Sequence, residues 1–214
     1  MSLWRKTGPT ELIDLALSFI ALTAAFAILW PGTIPSIEIL LISGLGAGSG
    51  FILHEMAHKV VAQRYGYWAE YRANRPWLVA IIFMAMMGFI FALPGAVMIR
   101  KSTPVGTASG WYGDEGRDER SDLLRIAIAG PLTNIVFAIV FFAILVSLPR
   151  SSWLALSAAY SALMINLTLA AFNLLPFGPL DGRKIYQGNP LIWLAVGVPT
   201  ILAGIAAIMG ARPI

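Results

Sequence analysis

Long apolar runs, broken by short polar or Pro/Gly stretches, dominate the chain. Five of them, about 12–30, 37–61, 124–148, 153–175 and 190–209, approach or exceed the ~20 residues a helix needs to cross a bilayer. "WPGTIPS" parts the first two, and Pro149, Arg150, Ser151 and Ser152 part the third and fourth. "PFGPLDGRKIYQGNP" parts the last two, and its Pro and Gly residues oppose a regular helix. A sixth run, "WLVAIIFMAMMGFIFALPGAVMI" (77–99), is apolar enough to cross or to enter and return. Upstream of it, "YGYWAEYRANRP" mixes aromatic and polar residues as a strand or interfacial segment does. Downstream, 100–122 reads as a polar Gly/Ser/Asp-rich loop. The pattern predicts an all-α polytopic membrane protein, a helical bundle of five or six spanning segments. A re-entrant or β-loop element is expected after the second. Without repeats or low-complexity tracts, residues 1–214 read as one membrane-embedded domain.

Composition supports a membrane solvent. The chain is 58% hydrophobic and 12% charged, with mean hydropathy +0.76; soluble domains carry about 25% charged residues. Arg5 and Lys6 ahead of the first run resemble a signal-peptide basic region, but the run outlasts a signal core of about 7–15 residues, so a retained helix is expected. The basic residues sit between apolar segments rather than on one face, which argues against a nucleic-acid partner. Cysteine is absent, so the chain offers neither disulfide nor thiolate ligand. A bound metal would have to be held by His and carboxylate.

Candidate chemistry sits in "HEMAH", where the chain's only two histidines, His54 and His58, flank Glu55. At i and i+4 on a helix the two imidazoles share a face and can reach one Zn²⁺. Glu55, next to His54, is placed as general base rather than ligand. An ionisable residue within a spanning segment is itself a functional signal. Chance coincidence, or mutual pairing within the bundle, is the structural alternative. A catalytic zinc takes three protein ligands, and without a third His the last must be Asp or Glu. Glu70, Asp114, Glu115, Asp118, Glu119 and Asp122 lie in polar stretches, while capping and the helix dipole explain Glu11, Asp14 and Glu38 near helix starts. Asp181 ends "FNLLPFGPLDG", an irregular stretch at membrane depth, which suggests a lined cavity. An Asp-Gly turn at the membrane surface is the alternative there.

"HEMAH", "AGPLTN" (129–134) and "NLLPFGPLDG" (173–182) resemble, in order and placement, the motifs of the site-2 proteases, intramembrane zinc metalloproteases that cut transmembrane substrates. The resemblance covers roughly 37–185, which would be the domain's core. It implies one Zn²⁺ held by His54, His58 and Asp181, Glu55 as catalytic base, and a transmembrane protein as substrate within membrane lipid. It also suggests that Asn173 meets the substrate carbonyl or oxyanion, with an interhelical hydrogen bond as the alternative. No PDZ-like segment is evident, so no substrate filter of that kind is expected. A membrane zinc transporter or sensor, or a scaffold with a structural zinc, would use the same His/Asp set. Oligomeric state is not legible.

Two arguments bear on 77–99. If it crosses, the basic residues divide eight against seven; if it does not, thirteen share one side and only Arg150 and Arg212 lie opposite. The positive-inside rule favours the second arrangement, with the active site towards the cytoplasm. At about 1.5 Å per residue, His54 lies ~7 Å and His58 ~13 Å past the midpoint of 37–61. Asp181 follows the end of 153–175, so both ends must share a side for one metal to join them. A third full crossing at 77–99 would separate them. A membrane-inserted, non-crossing 77–99 is expected.

Overall fold

The computed structural model describes residues 7–30, 35–91, 93–101 and 119–210. Arg5, Lys6, Arg117, Arg212 and most of the polar loop, with its Asp114, Glu115 and Asp118, lie outside these, as does most of "WPGTIPS".

In chain order, α1 (Pro9–Ile28) is followed by α2 (Ile37–Ala47), which runs through a widened π-type turn (Gly48–Ile52) into α3 (Leu53–Arg64). β1 (Tyr67–Ala73), α4 (Arg75–Met86) and β2 (Gly95–Lys101) come next, then α5 (Glu119–Ser147), α6 (Trp153–Asn173), α7 (Asp181–Gly188) and α8 (Pro190–Gly210). Five helices among the described residues are long and apolar enough to span: α1, the continuous α2–α3 rod, α5, α6 and α8. Their outer faces are apolar, as in α5 (Val136, Ile139, Phe142, Val146) and α8 (Leu191, Leu194, Leu202, Ile205, Met209). A multi-pass membrane protein leaves such residues exposed because lipid replaces water as their solvent.

The run 77–99 does not form a sixth span. Its helical part, α4, has 12 residues, about 18 Å at 1.5 Å per residue and short of a ~30 Å hydrocarbon core. Gly88, at φ 90°, then turns the chain, and β2 returns antiparallel to β1 with Tyr67 opposite Lys101 and Ala73 opposite Gly95. "YGYWAEYRANRP" thus supplies the first strand of a hairpin. Tyr71 is fully buried and packs edge-on against Phe51, ring centroids 5.5 Å apart.

Packing explains the glycines before the motif. A Cβ on Gly46 or Gly50 would strike Ile165 and Leu169 of α6, and one on Gly44 or Gly48 would meet Phe19 of α1. Small residues let the rod's backbone approach both neighbours where lipid supplies no driving force for association. Ser49 donates to the Leu45 carbonyl (2.8 Å) and accepts from the Asn166 amide (2.9 Å), which ties the widened turn to α6 just ahead of His54.

Two acids that capping seemed to explain do other work. The α1 N-cap makes no side-chain hydrogen bond. Glu11 instead accepts from Lys59 Nζ at 2.6 Å and from the Tyr71 backbone N–H at 3.1 Å. Asp14 accepts from the Ala73 N–H at 3.3 Å and pairs with Arg75 at 3.4 Å. The start of α1, the end of α3 and the hairpin therefore lie together, so α1 and the α2–α3 rod each cross once between them.

Candidate metal centre

His54 and His58 project from α3 towards α5 and α7, one turn apart as their i, i+4 spacing requires. Asp181 arrives from the far end of the chain, as the first residue of α7 after the irregular stretch that ends α6. It is buried and opens a helix, not a surface turn. Gly182 accounts for the second half of "DG": a Cβ there would strike the Leu174 and Leu175 carbonyls, so only glycine lets α7 fold back onto the end of α6.

The three side chains converge. Asp181 Oδ2 lies 2.9 Å from His58 Nε2 and 3.4 Å from His54 Nε2, and the two Nε2 atoms are 3.1 Å apart. One ligand atom from each lies within 4.8 Å of the others. Tetrahedral bonds of ~2.0–2.1 Å place ligand atoms about 3.3–3.4 Å apart, so this imidazole and carboxylate set fits Zn²⁺. His58 Nδ1 lies 2.7 Å from the Ile126 carbonyl of α5, which leaves Nε2 to face the centre. Burial pushes the Asp181 carboxyl up, but the adjacent His58 and hydrogen bonds from both imidazoles outweigh it and hold the group well below its ordinary value. Lys184, one turn on, adds a contact of 3.0 Å to Oδ1.

Space for the centre comes from α5. A Cβ on Gly130 would collide with the Nε2 atoms of both histidines. "AGPLTN" therefore contributes a missing side chain, which sequence reasoning passed over because glycine carries no chemistry of its own. It also passed over the Ile126 carbonyl, since a backbone partner leaves no trace in residue type.

Glu55 and Asn173 line one cavity of about 60 Å³ with the metal-ligand candidates. One water needs about 10–15 Å³ of such volume, so the cavity has room for several. Its wall includes Leu93, Pro94, Gly95 and Ala96, the turn into β2. The run 77–99 thus reaches the site as an apolar cover. Asn173 Nδ2 donates to the Leu169 carbonyl at 3.0 Å, a bond within α6 rather than between helices. A larger hollow of about 640 Å³ meets His58 and Asp181 from another side, rimmed by Arg120, Lys184 and Gln187.

Comparison with known proteins gives a consistent family. The model of peptidase family M50 matches residues 45–158, which include the α3 histidines and all of α5. The chain belongs to this family, that of the site-2 proteases. A protein of Methanocaldococcus jannaschii, named as a candidate zinc metalloprotease, is 38% identical over 205 residues, 94% of this chain and 95% of its own length. Rip3 of Mycobacterium tuberculosis, similarly named, is 29% identical over 198 residues, 89% of this chain but 42% of its own. YwhC of Bacillus subtilis, with the same kind of name, is 30% identical over 146 residues, 64% of each chain. No solved structure matches the chain. This M50 protein is a zinc metalloprotease with a multi-pass membrane architecture.

Proposed function

We propose that this metalloprotease cuts a peptide bond in or near the transmembrane segment of a membrane-protein substrate, with His54, His58 and Asp181 as zinc ligands and Glu55 as general base. The observation that carries the reading is the convergence of these ligand atoms within 4.8 Å beside a Glu55-lined cavity in a molecule built of spanning helices. His54, His58 and Asp181 would hold Zn²⁺, which when bound would supply the Lewis acidity that activates water and polarises a carbonyl. Glu55 takes the proton of the attacking water and returns it to the leaving amine. Asn173, which lines the same cavity, has a second amide hydrogen to offer the substrate carbonyl as charge develops on it.

A helical substrate keeps its carbonyls hydrogen-bonded internally, so it must unwind locally to enter. The irregular stretch 174–180 offers an extended edge against which an unwound segment can pair. The hollow rimmed by Arg120, Lys184 and Gln187 supports water entry from the side of the membrane that carries the α3 terminus. That side is the cytoplasm on the charge count, which leaves twelve basic residues against two once Lys59, buried against Glu11, is set aside.

The test is incubation of the purified protein with a panel of single-span substrates, with and without a chelator. Chelator-sensitive cleavage in or near the span is expected; no cleavage of any member overturns the reading. A reporter fused at about residue 112 tests the non-crossing 77–99, which a location opposite the α3 terminus would overturn, and a location outside the cytoplasm for the α3 terminus itself would overturn the orientation.

A further inference from the structure

The two carboxylate oxygens of Asp181 face different groups. Oδ2 lies 2.9 Å from His58 Nε2 and 3.4 Å from His54 Nε2. Oδ1 accepts from the Lys184 ammonium at 3.0 Å, and no other group among the described residues bonds it. The end of α7 does not orient the carboxylate either. Leu180 is its N-cap, and no side-chain cap bond forms there. On the side away from the imidazoles, only Lys184 holds Asp181.

That contact bears on how the residue can ligate. A carboxylate has two like oxygens, and rotation of the group can exchange them or bring both onto a metal. A catalytic zinc takes three protein ligands and keeps one place open, so a second oxygen from Asp181 would compete for that place. Ligating carboxylates are normally fixed by a hydrogen bond from behind, as the Ile126 carbonyl fixes His58. Lys184 follows Asp181 at i+3 on α7, a spacing that puts both side chains on one face. Its side chain is 58% exposed against 9% for Asp181, so the ammonium keeps its water while it holds a buried oxygen. So open a pair contributes little to fold stability; what it changes is which oxygen Asp181 presents.

We propose that Lys184 is the positioning residue for Asp181: its ammonium occupies Oδ1 and leaves Oδ2 alone to face the zinc beside His54 and His58. Lys184 acts through Asp181 and is not a ligand, since an ammonium has no lone pair. Its charge alone has the opposite effect. A cation beside Zn²⁺ repels it, so if charge were all, removing Lys184 would tighten zinc binding. Arg183 supplies the comparison, with the same charge one residue away but its guanidinium donating to the Gly178 carbonyl at 3.4 Å. The inference rests on the proposed zinc ligands, and its test separates the two.

The measurement is zinc affinity of the purified, detergent-solubilised protein by competition with a chromophoric chelator, together with the visible spectrum of the Co²⁺-loaded form. Lys184→Met keeps the stem and removes the donor; it should weaken zinc binding about 10–100-fold and alter the Co²⁺ bands as Oδ1 is freed. Lys184→Arg keeps a cationic donor and should restore most of the affinity. Arg183→Met removes the same charge and should bind zinc as the parent does. Parental or tighter binding in Lys184→Met overturns the proposal, as do unaltered Co²⁺ bands. Equal weakening in Lys184→Arg or in Arg183→Met overturns it too, because the loss would then not follow the donor to Oδ1. Lys184→Ala decides in the same way if the Met variant does not fold. If the parent binds no zinc, or Asp181→Ala binds it as the parent does, the ligand assignment itself is overturned.

Discussion

His58 and Lys59 are neighbours in the chain, yet they face different partners across α3, each within a buried polar cluster, and the two clusters are completed differently. Lys59 meets Glu11 at 2.6 Å and Thr7 at 3.0 Å, while Glu11 also accepts the Tyr71 N–H. Each charge there has its opposite, and the cluster joins α1, α3 and β1. On the other face His54, His58 and Asp181 bring two imidazoles and a carboxylate onto one point, next to a cavity with room for several waters. A saturated ion pair in a low-dielectric interior holds elements together; an unsaturated donor set beside a cavity is suited to binding and chemistry. Charge inside a membrane bundle is therefore not by itself a catalytic sign; what completes the charge decides its use.

Perturbing the two clusters should separate these uses. The largest effect is expected on the histidine face: His54→Ala or Asp181→Ala should abolish zinc binding, read as metal per chain, and cleavage with it, while leaving a folded bundle. Next comes the paired face. Lys59→Met or Glu11→Gln leaves one buried charge or polar group without its partner and should destabilise the protein by about 3–5 kcal/mol, seen as a lower unfolding temperature in detergent. Zinc per folded molecule should be unchanged. The double variant Glu11→Leu/Lys59→Met should recover much of that loss; if it adds to the single losses, the pair is not the unit described. Smaller again, Gly130→Ala should push its methyl into both imidazoles, lower the stability of the metal-free protein by about 1–3 kcal/mol and weaken zinc binding as well. The smallest effect is expected on the hairpin surface, where Arg100 stacks 5.7 Å above the exposed Trp68 ring. Trp68→Ala should lower stability by about 0.5–1 kcal/mol, and zinc affinity should not move.

The same comparison shows what was readable from the chain. The spans were, because five apolar runs bounded by Pro and Gly leave few other folds in lipid. The His/Glu/His spacing and Asp181 were, because ligand chemistry limits the residue types and this chain holds two histidines and no cysteine. The turnback of 77–99 followed from charge balance and the need to bring Asp181 to α3, although its division into a 12-residue helix and a strand did not. Hydrophobicity alone cannot distinguish an inserted helix from an inserted hairpin. The charge count takes Lys59 only as one of the basic residues of one side, and capping and the helix dipole suffice for Glu11; their pairing depends on how α1 packs against α3, a contact between residues 48 positions apart. Gly130 and Gly182 act by lacking a side chain, and the Ile126 carbonyl acts through the backbone, so neither is signalled by residue chemistry.

The most direct test of the account is a parallel measurement on Glu55→Gln and the parent, purified and reconstituted with a single-span substrate that the parent cuts. Zinc content and cleavage are read on the same preparation, and the cut is located by mass spectrometry. The account predicts one zinc per chain in both, a parental cut in or near the span, and cleavage by Glu55→Gln reduced by about 10²–10⁴-fold. Parental cleavage by Glu55→Gln, or loss of its zinc, would contradict the separation of base from ligands on which the account rests.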